Sequence, residues 1–421
     1  MLPQEHINWL IQQPDKVLST WKVRMERNGL EYQSITVDHK STVAFTEKVI
    51  GRCLTRNLDY IQGDVYAEIK SSVSDIFGTS TTSWRFIDAQ QSMAQIADRT
   101  ATRAMFGLTL CRDQAYLLHL SRFKILMGVG TLVIGQLPPL IRPAVGYLIN
   151  APLTYYKWKV MRTLIPLIES QMREFKRRER DGTVQEEGSD FLTQSIRVAM
   201  TSKSFATLSS LGIVCLNVML DILSTAPALK IYETIRAEAL QVFASEASWT
   251  DPAALQNLKL PASAVRESLR KNPIIVRGLL REVMPQDGVL LPDGSHIAKG
   301  TWIGVPTQAI HMDERFYTNP DSYDPFRFAR EQEAKDPAGK ERFDATQPTD
   351  TFLGFSYGRH SCPGRWFANQ ILKLLIAYIT VHYDIEPFDK RPEGMVFGDT
   401  NIPSLSAKLK VRRREDPYKR N

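Results

Sequence analysis

The chain of 421 residues contains only four cysteines, and they form neither a CxxC pair nor a Cys/His spacing typical of a metal site. This scarcity excludes a disulfide framework and favours a reducing compartment. The N-terminus lacks a basic start followed by an apolar core, so we predict no signal peptide and no anchor helix in this chain. Internal repeats and low-complexity tracts are also lacking, which excludes repeat and fibrous architectures.

Charge of one sign is not strongly in excess, with 53 Lys and Arg against 46 Asp and Glu. The positive excess lies mainly in two short runs, REFKRRER near residue 176 and KVRRREDPYKR at the C-terminus. Neither run is interleaved with stacking aromatic residues, so the sequence predicts no nucleic-acid partner. Solvated surface is the simplest interpretation, and an anionic membrane surface or an acidic protein is the alternative partner.

No apolar run is long enough to cross a bilayer without interruption. The most apolar stretch, residues 125–153, is broken by prolines at positions 138, 139 and 143. It is therefore too short and too broken to span, and the sequence predicts no transmembrane helix. Two interpretations stay open for this stretch: a buried helix pair, or a surface that dips into one face of a membrane.

The first two-thirds of the chain show apolar residues at helical spacing. The predicted helices include residues 42–52, 89–105, 155–177 and 206–223, with loops near residues 80 and 185. Residues 274–305 break into short runs punctuated by Gly and Pro, which predict a small β-sheet. A long aperiodic connection, residues 306–360, is typical of a segment that wraps a site, and a strong helix resumes at Pro363. The predicted fold class is therefore mainly α, a large helical bundle with a small β-rich part.

Cys362 lies in the run FLGFSYGRHSCPGRWFA, between a glycine-bearing loop and a predicted helix start. A lone cysteine is most often a small buried hydrophobic residue. At a helix start, however, free N–H groups and the positive end of the helix dipole favour a thiolate, which ligates metal strongly. Gly358 and Gly364 allow the backbone to approach a flat ligand. Arg359 or His360 is placed to pair with an anionic group of that ligand.

The run from Phe355 to Gly364 resembles the pattern FxxGxRxCxG of the cytochrome P450 family, with His360 where Arg is commoner. The longer run GRHSCPGRWFA is especially similar to fungal members of secondary metabolism. The resemblance implies that haem b is bound by Phe355, Gly358, His360, Cys362 and Gly364. It also implies that the thiolate of Cys362 ligates the iron, an arrangement that favours O–O cleavage.

Glu267 and Arg270, in the run AVRESLRKNP, share one face of a predicted helix. That spacing alone indicates only a surface ion pair. The run resembles the ExxR helix of the same family, and NPDSYDPFRF downstream resembles the loop that supplies Arg327 as the third member. The resemblance implies a buried charge network with a structural role, because a buried carboxylate must be paired. In the strand-like run IIVRGLLREVM, either Arg277 or Arg281 can reach a haem propionate, and position favours Arg281.

Members of the family carry an acid and an alcohol side chain on a long helix, where they deliver protons to bound dioxygen. The best candidate here is the run FATLSSLGIVCLNVMLDIL, which places Ser209 at the acid position and Ser210 at the alcohol position. Neither side chain titrates in the ordinary range, but a hydroxyl can relay a proton or hold a water. The alternative is that both serines are ordinary helix residues. Asp221 is predicted to lie too far along the helix to replace the acid.

The resemblance covers nearly the whole chain and implies one domain, residues 1–421, without the membrane anchor usual in eukaryotic members. It implies a haem-thiolate monooxygenase that uses dioxygen and an NADPH-cytochrome reductase to oxidise an apolar small molecule, such as a terpenoid or meroterpenoid. The docking face for an acidic reductase would include Arg359, Arg365 and Lys373. The expected location is the cytoplasmic face of the endoplasmic reticulum, with peripheral membrane contact. The alternatives are an isomerase or cyclase, and a catalytically silent, truncated haem-binding remnant.

Overall fold

The computed structural model describes residues 1–32, 54–181, 210–336 and 344–418. Its α-helices are α1 Ile7–Gln12, α2 Thr20–Arg27, α3 Leu58–Phe77, α4 Ala89–Phe106, α5 Leu108–Cys111, α6 Gln114–Val133, α7 Arg142–Arg180, α8 Leu211–Leu223, α9 Ala228–Val242, α10 Pro252–Gln256, α11 Lys259–Lys271, α12 Thr307–His311, α13 Arg327–Lys335 and α14 Arg365–His382. The strands are β1 Leu18–Ser19, β2 Arg85–Asp88, β3 Gly278–Val283, β4 Val289–Leu290, β5 His296–Ile297, β6 Trp302–Val305, β7 Tyr383–Ile385, β8 Met395–Phe397, β9 Thr400–Ile402 and β10 Lys408–Arg413. The predicted mainly α fold class is confirmed.

The predicted helices agree with the structure where it describes them. Residues 89–105 correspond to α4, and residues 155–177 lie within the longer α7. The predicted helix at 42–52, the first part of the one at 206–223 and the loop near residue 185 lie outside the described residues. Helix α7 continues for 39 residues through Pro152 and Pro166. A proline inside a helix removes one backbone hydrogen bond, so this continuity depends on packing rather than on local preference.

The chain folds as two compact units, each assembled from separate segments. The first unit comprises Met1–Asn57, Met105–Leu208 and Arg277–Val305. The second unit comprises Leu58–Ala104, Ser209–Val276 and Pro306–Asn421. That the whole chain forms one domain stays a prediction.

In the first unit, the predicted sheet between residues 274 and 305 is present. Strand β3 pairs antiparallel with β6 on one side and with the short β1 on the other. Strands β4 and β5 form a separate hairpin. The two-residue strand β1 was not predicted, because so short a segment carries no measurable alternation of polar and apolar residues.

Helices α6 and α7 of the first unit pack side by side. One cluster of buried side chains joins them through Tyr116 and Leu120 on α6 and through Val160 and Leu164 on α7. A second cluster includes Phe123, Met127 and Leu153. Among the described residues, Gln114–Gln136 is the one stretch of helix long and apolar enough to cross a membrane. That the chain has no transmembrane helix stays a prediction.

Helix α14 forms the centre of the second unit, where nearly every residue from Phe367 to His382 is buried. It packs against α9, α11 and α3. Helix α8 is also almost completely buried, and Gly212 brings it so close to α4 that an added Cβ would lie 2.9 Å from the Cα of Ala94. Strands β2, β10 and β7 form an antiparallel sheet.

Tyr232 connects α9 to the end of α14 and provides a test of this packing. Its buried hydroxyl lies 3.2 Å from the carbonyl oxygen of Ile379 and 3.0 Å from that of Tyr383. We expect Tyr232→Phe to lower the free energy of unfolding by about 1 kcal/mol, because a buried hydroxyl that donates to the backbone is removed. Denaturant unfolding measures the change. Tyr60→Phe, at a side chain that is 60% exposed, is the control and should leave stability unchanged. An equal effect of the two substitutions would contradict this account.

Candidate functional site

Helix α11 places Glu267 and Arg270 in the interior of the second unit. Every residue from Pro261 to Arg270 is buried. The carboxylate of Glu238, on α9, accepts the N–H groups of Lys259 at 3.1 Å and of Leu260 at 3.0 Å. Because the first N–H groups of a helix have no partner within it, this contact fixes where α11 begins.

Glu267 forms two buried ion pairs. Nε and Nη2 of Arg270 each donate to its carboxylate at 2.8 Å, which is a bidentate contact. Nε of Arg327 lies 3.2 Å from both carboxylate oxygens. Glu267 and Arg270 are completely buried and Arg327 is 7% exposed. Two guanidinium groups therefore pair with one carboxylate away from water, as the resemblance implied. The role of the three residues stays a prediction.

The two arginines also hold the irregular segment between α12 and α13. Arg270 donates from Nη2 to the carbonyl of Pro320 at 2.8 Å. Arg327 donates from Nη1 to the carbonyl of Thr318 at 2.6 Å. The N–H of Asp324 donates to Glu267 at 3.1 Å. These contacts fix an irregular segment by satisfying its backbone polar groups with buried charges.

The cysteine loop, residues 355–364, is shaped by short-range hydrogen bonds. The N–H of Cys362 donates to the carbonyl of Phe355 at 2.8 Å, and the N–H of Ser361 donates to that of Gly358 at 3.0 Å. Gly358 has φ of +72°, a conformation that strains residues with a Cβ. The glycine is therefore needed for the turn that presents Cys362.

Helix α14 begins just after Cys362. Gly364 occupies the N-cap position and Arg365 is the first helical residue, so the helix starts slightly after the predicted Pro363. The carbonyl of Cys362 accepts Nη1 of Arg365 at 2.9 Å. The sulfur thus belongs to a residue at the positive end of a long helix, where the dipole stabilises a thiolate.

The cysteine loop is partly exposed, although the residues on either side of it are buried. Phe355, Gly358, His360, Cys362 and Gly364 are half-buried. By contrast, Phe352, Leu353 and Phe367 on either side are buried. A soft donor with accessible surface, flanked by residues that let a flat group approach, fits haem bound through sulfur.

The candidate proton-relay residues are described only in part. Ser209 lies outside the described residues. Ser210 is exposed and precedes α8, where its hydroxyl makes no capping hydrogen bond. Asp221 is buried near the other end of α8 and accepts Nε of Arg391 at 2.6 Å and Nδ2 of Asn272 at 2.8 Å. Burial raises the pKa of Asp221, whereas Arg391 opposes that shift.

The predicted cationic residues have different environments. Arg281 belongs to the first unit, where it is buried on β3 and donates to the hydroxyl of Thr20. Arg277, the other candidate, is exposed. Arg359 is also exposed, as a docking face requires. The prediction for Lys373 is wrong, because this side chain is 7% exposed and its ammonium donates to the carbonyl of Leu255 at 3.1 Å.

Two buried residues near the ion pairs were not predicted from the sequence. Arg266 lies over the rings of Phe328 at 4.4 Å and Phe352 at 4.5 Å. His311, the last residue of α12, is completely buried and stacks on Phe352 with ring centroids 5.8 Å apart. Neither belongs to a local motif, and each is followed within four residues by charged side chains, so the sequence around them does not indicate burial.

The chain is similar to known proteins along nearly its whole length. The family profile described as Cytochrome P450 matches residues 213–411. The chain is 46% identical to the cytochrome P450 monooxygenase polB of Polytolypa hystricis, over 99% of this chain and 83% of that protein. It is 34% identical to efuH of Hormonema carpetanum, over 97% and 76%, and 35% identical to fsoD of Humicola fuscoatra, over 99% and 83%. Both carry the same description, cytochrome P450 monooxygenase.

The mainly α fold and these similarities define an oxidoreductase of the monooxygenase class. The chain belongs to the cytochrome P450 family. Its cofactor is accordingly haem whose iron is ligated by a cysteine.

The ion pairs of Glu267 lead to a stability prediction. We expect Glu267→Gln to lower the free energy of unfolding by about 3–5 kcal/mol, because two buried guanidinium groups lose their counter-charge. Thermal or denaturant unfolding measures this change. The matched control is Glu393→Gln, which breaks an ion pair whose partners are each at least 80% exposed. The control should have no measurable effect. Equal stability of the two variants would show that the buried pairs contribute little.

Proposed function

We propose that the chain uses dioxygen to oxidise an apolar small molecule of the terpenoid or meroterpenoid class. The observation that carries the proposal is the half-buried Cys362 at the start of a long helix, in a chain whose relatives are described as cytochrome P450 monooxygenases. Those relatives favour oxygen insertion over both alternatives considered from sequence, an isomerase or cyclase and a silent remnant.

In this proposal the cysteine loop supplies the haem site. Cys362 would ligate the iron, and Phe355, Gly358, His360 and Gly364 would be the other residues of this loop that hold the haem. When bound, the haem supplies oxygen activation, which the thiolate promotes. The protein contributes orientation of the substrate and exclusion of water. Arg281 is assigned to a propionate on its position in the sequence alone, since a guanidinium pairs well with a carboxylate.

Proton delivery is assigned to Ser210, the residue before α8, because a hydroxyl can relay a proton or hold a water molecule. Asp221 does not serve, since its carboxylate already accepts hydrogen bonds from Arg391 and Asn272. A hydroxyl relays protons less efficiently than a group with a tuned pKa. The use of a hydroxyl in place of an acid favours a second candidate function, ring closure or rearrangement of the substrate at the same site.

The partners follow from the charges at the site. An NADPH-cytochrome reductase is the proposed electron donor, and the exposed Arg359 beside the cysteine loop is part of its docking face. Arg365 contributes less, because its guanidinium already donates to the carbonyls of Thr346 at 2.9 Å and Cys362 at 2.9 Å.

We also propose that the α6–α7 surface contacts the endoplasmic reticulum membrane peripherally. This surface is the outer face of α6, α7 and their connection, and its exposed residues are Leu118, Ile125, Val129, Leu140, Ile141, Tyr147, Leu148, Tyr155 and Trp158. Leu140 is 93% exposed and Leu148 is 74% exposed. Exposed apolar side chains in such number are uncommon on a surface that faces only water. Lys159 and Arg162 lie beside Trp158, a combination suited to anionic headgroups.

Product formation with labelled dioxygen tests the catalytic proposal. We expect the purified chain, supplied with NADPH-cytochrome reductase, NADPH and a panel of terpenoids, to incorporate one labelled oxygen atom into a product. Cys362→Ala should abolish incorporation, whereas Cys215→Ala, at a buried thiol on α8, should retain it. A rearranged product without labelled oxygen would instead support the isomerase or cyclase.

Flotation with vesicles of anionic phospholipid tests the membrane contact. We expect the double variant Leu140→Asp and Leu148→Asp to bind vesicles roughly tenfold more weakly, because two apolar side chains are replaced by charges that the lipid repels. The control is Leu405→Asp, which changes a leucine that is 57% exposed but lies outside the α6–α7 surface. Equal binding by the unmodified chain, the double variant and Leu405→Asp would refute contact through the α6–α7 surface.

A further inference from the structure

His311 connects the buried ion pairs to the segment that leads into the cysteine loop. Its ring nitrogen Nδ1 lies 2.9 Å from the carbonyl oxygen of Arg270. Its other ring nitrogen, Nε2, accepts the N–H of Leu353 at 2.8 Å. Leu353 lies between α13 and Cys362, at the start of the run that contains the haem-binding pattern. One imidazole therefore bridges two segments distant in sequence.

The contact with Arg270 is reciprocal. Nη1 of Arg270 donates to the carbonyl of His311 at 2.6 Å, while the ring of His311 reaches the carbonyl of Arg270. Each residue thus satisfies the backbone carbonyl of the other through its side chain. Since Arg270 also holds Glu267, the position of the imidazole is fixed by the buried ion pairs.

These contacts determine the tautomer of the ring. A backbone carbonyl only accepts and a backbone N–H only donates, so Nδ1 carries the proton and Nε2 is the acceptor. Burial lowers the pKa of His311 to about 3, so that the ring is neutral at physiological pH. The ring also stacks on Phe352, which Arg266 covers at 4.5 Å. Both the direction and the plane of the imidazole are therefore set.

We propose that His311 is a positioning residue that holds the start of the cysteine loop in register with the buried ion pairs and so keeps Cys362 placed to ligate iron. It does not touch the reacting atoms; it acts through the N–H of Leu353. The inference rests on the proposed role of Cys362. It predicts that the acceptor atom at Nε2, rather than the bulk of the ring, decides whether the thiolate remains bound.

Two substitutions separate the two ring nitrogens. In His311→Gln the side-chain carbonyl reaches the place of Nε2 and accepts the N–H of Leu353. In His311→Asn the shorter amide occupies the place of Nδ1 and donates to Arg270, but it leaves the N–H of Leu353 without an acceptor. Tyr317→Phe is a matched control, because it removes a hydrogen bond of 3.0 Å to the neighbouring carbonyl of Thr351 and leaves His311 unchanged.

The measurement is the carbon monoxide difference spectrum of each reduced, haem-loaded chain. Thiolate-ligated haem gives a strongly red-shifted Soret band, which is replaced by another band when the thiolate is lost. We expect His311→Asn to shift the ratio of the two bands roughly tenfold away from the thiolate form, because a buried N–H loses its partner. His311→Gln and Tyr317→Phe should keep the unmodified ratio.

A thiolate band of His311→Asn equal to that of the unmodified chain would overturn the inference. Equal loss in His311→Asn and His311→Gln would also overturn it, since the effect would not follow the acceptor atom. If the unmodified chain itself shows no thiolate band, the proposed function fails first. If His311→Asn does not fold, nitrogen NMR of the histidine-labelled, unmodified chain decides. A proton on Nε2 of His311 would then contradict the inference, and a proton on Nδ1 would support it.

Discussion

The buried carboxylate of Glu267 is the constraint on which the second unit depends. Removing a carboxylate from water costs several kcal/mol unless charges and hydrogen bonds replace the lost hydration. Arg270 and Arg327 supply that replacement, and their remaining N–H groups bind carbonyls of the connection after α12. A segment without regular secondary structure is therefore held at defined positions. The ring of His311, which is bound to Arg270, accepts the N–H of Leu353 and so links the ion pairs to the segment before the cysteine loop.

The cysteine loop combines a fixed foundation with an uncovered surface. Helix α14 is buried along nearly its whole length, so the position of its first turn is set by packing. The loop ahead of it depends on a left-handed glycine at position 358 and on the hydrogen bond between Cys362 and Phe355. The residues proposed to ligate or approach haem are half-buried, whereas the residues on either side of the loop are buried. This division of roles is what a preorganised metal site needs.

The sequence was informative where the chemistry is local. The residues around Cys362 are contiguous, and Glu267 and Arg270 share one turn, so both could be found without a structure. Burial of long polar side chains was harder to predict. Lys373 was expected at a docking face, although the run around it is apolar on all sides, which is typical of a buried helix. The bridge made by His311 joins residues far apart in sequence, and no pattern in the sequence indicates it.

The most direct test of the account is the carbon monoxide difference spectrum of the reduced, unmodified chain. The account predicts a single, strongly red-shifted Soret band, because Cys362 at the start of α14 retains the iron as a thiolate. A band at the position of histidine-ligated haem, or no haem at all, would contradict it. Either of those results would mean that the buried ion pairs and the cysteine loop do not assemble the site that their geometry supports.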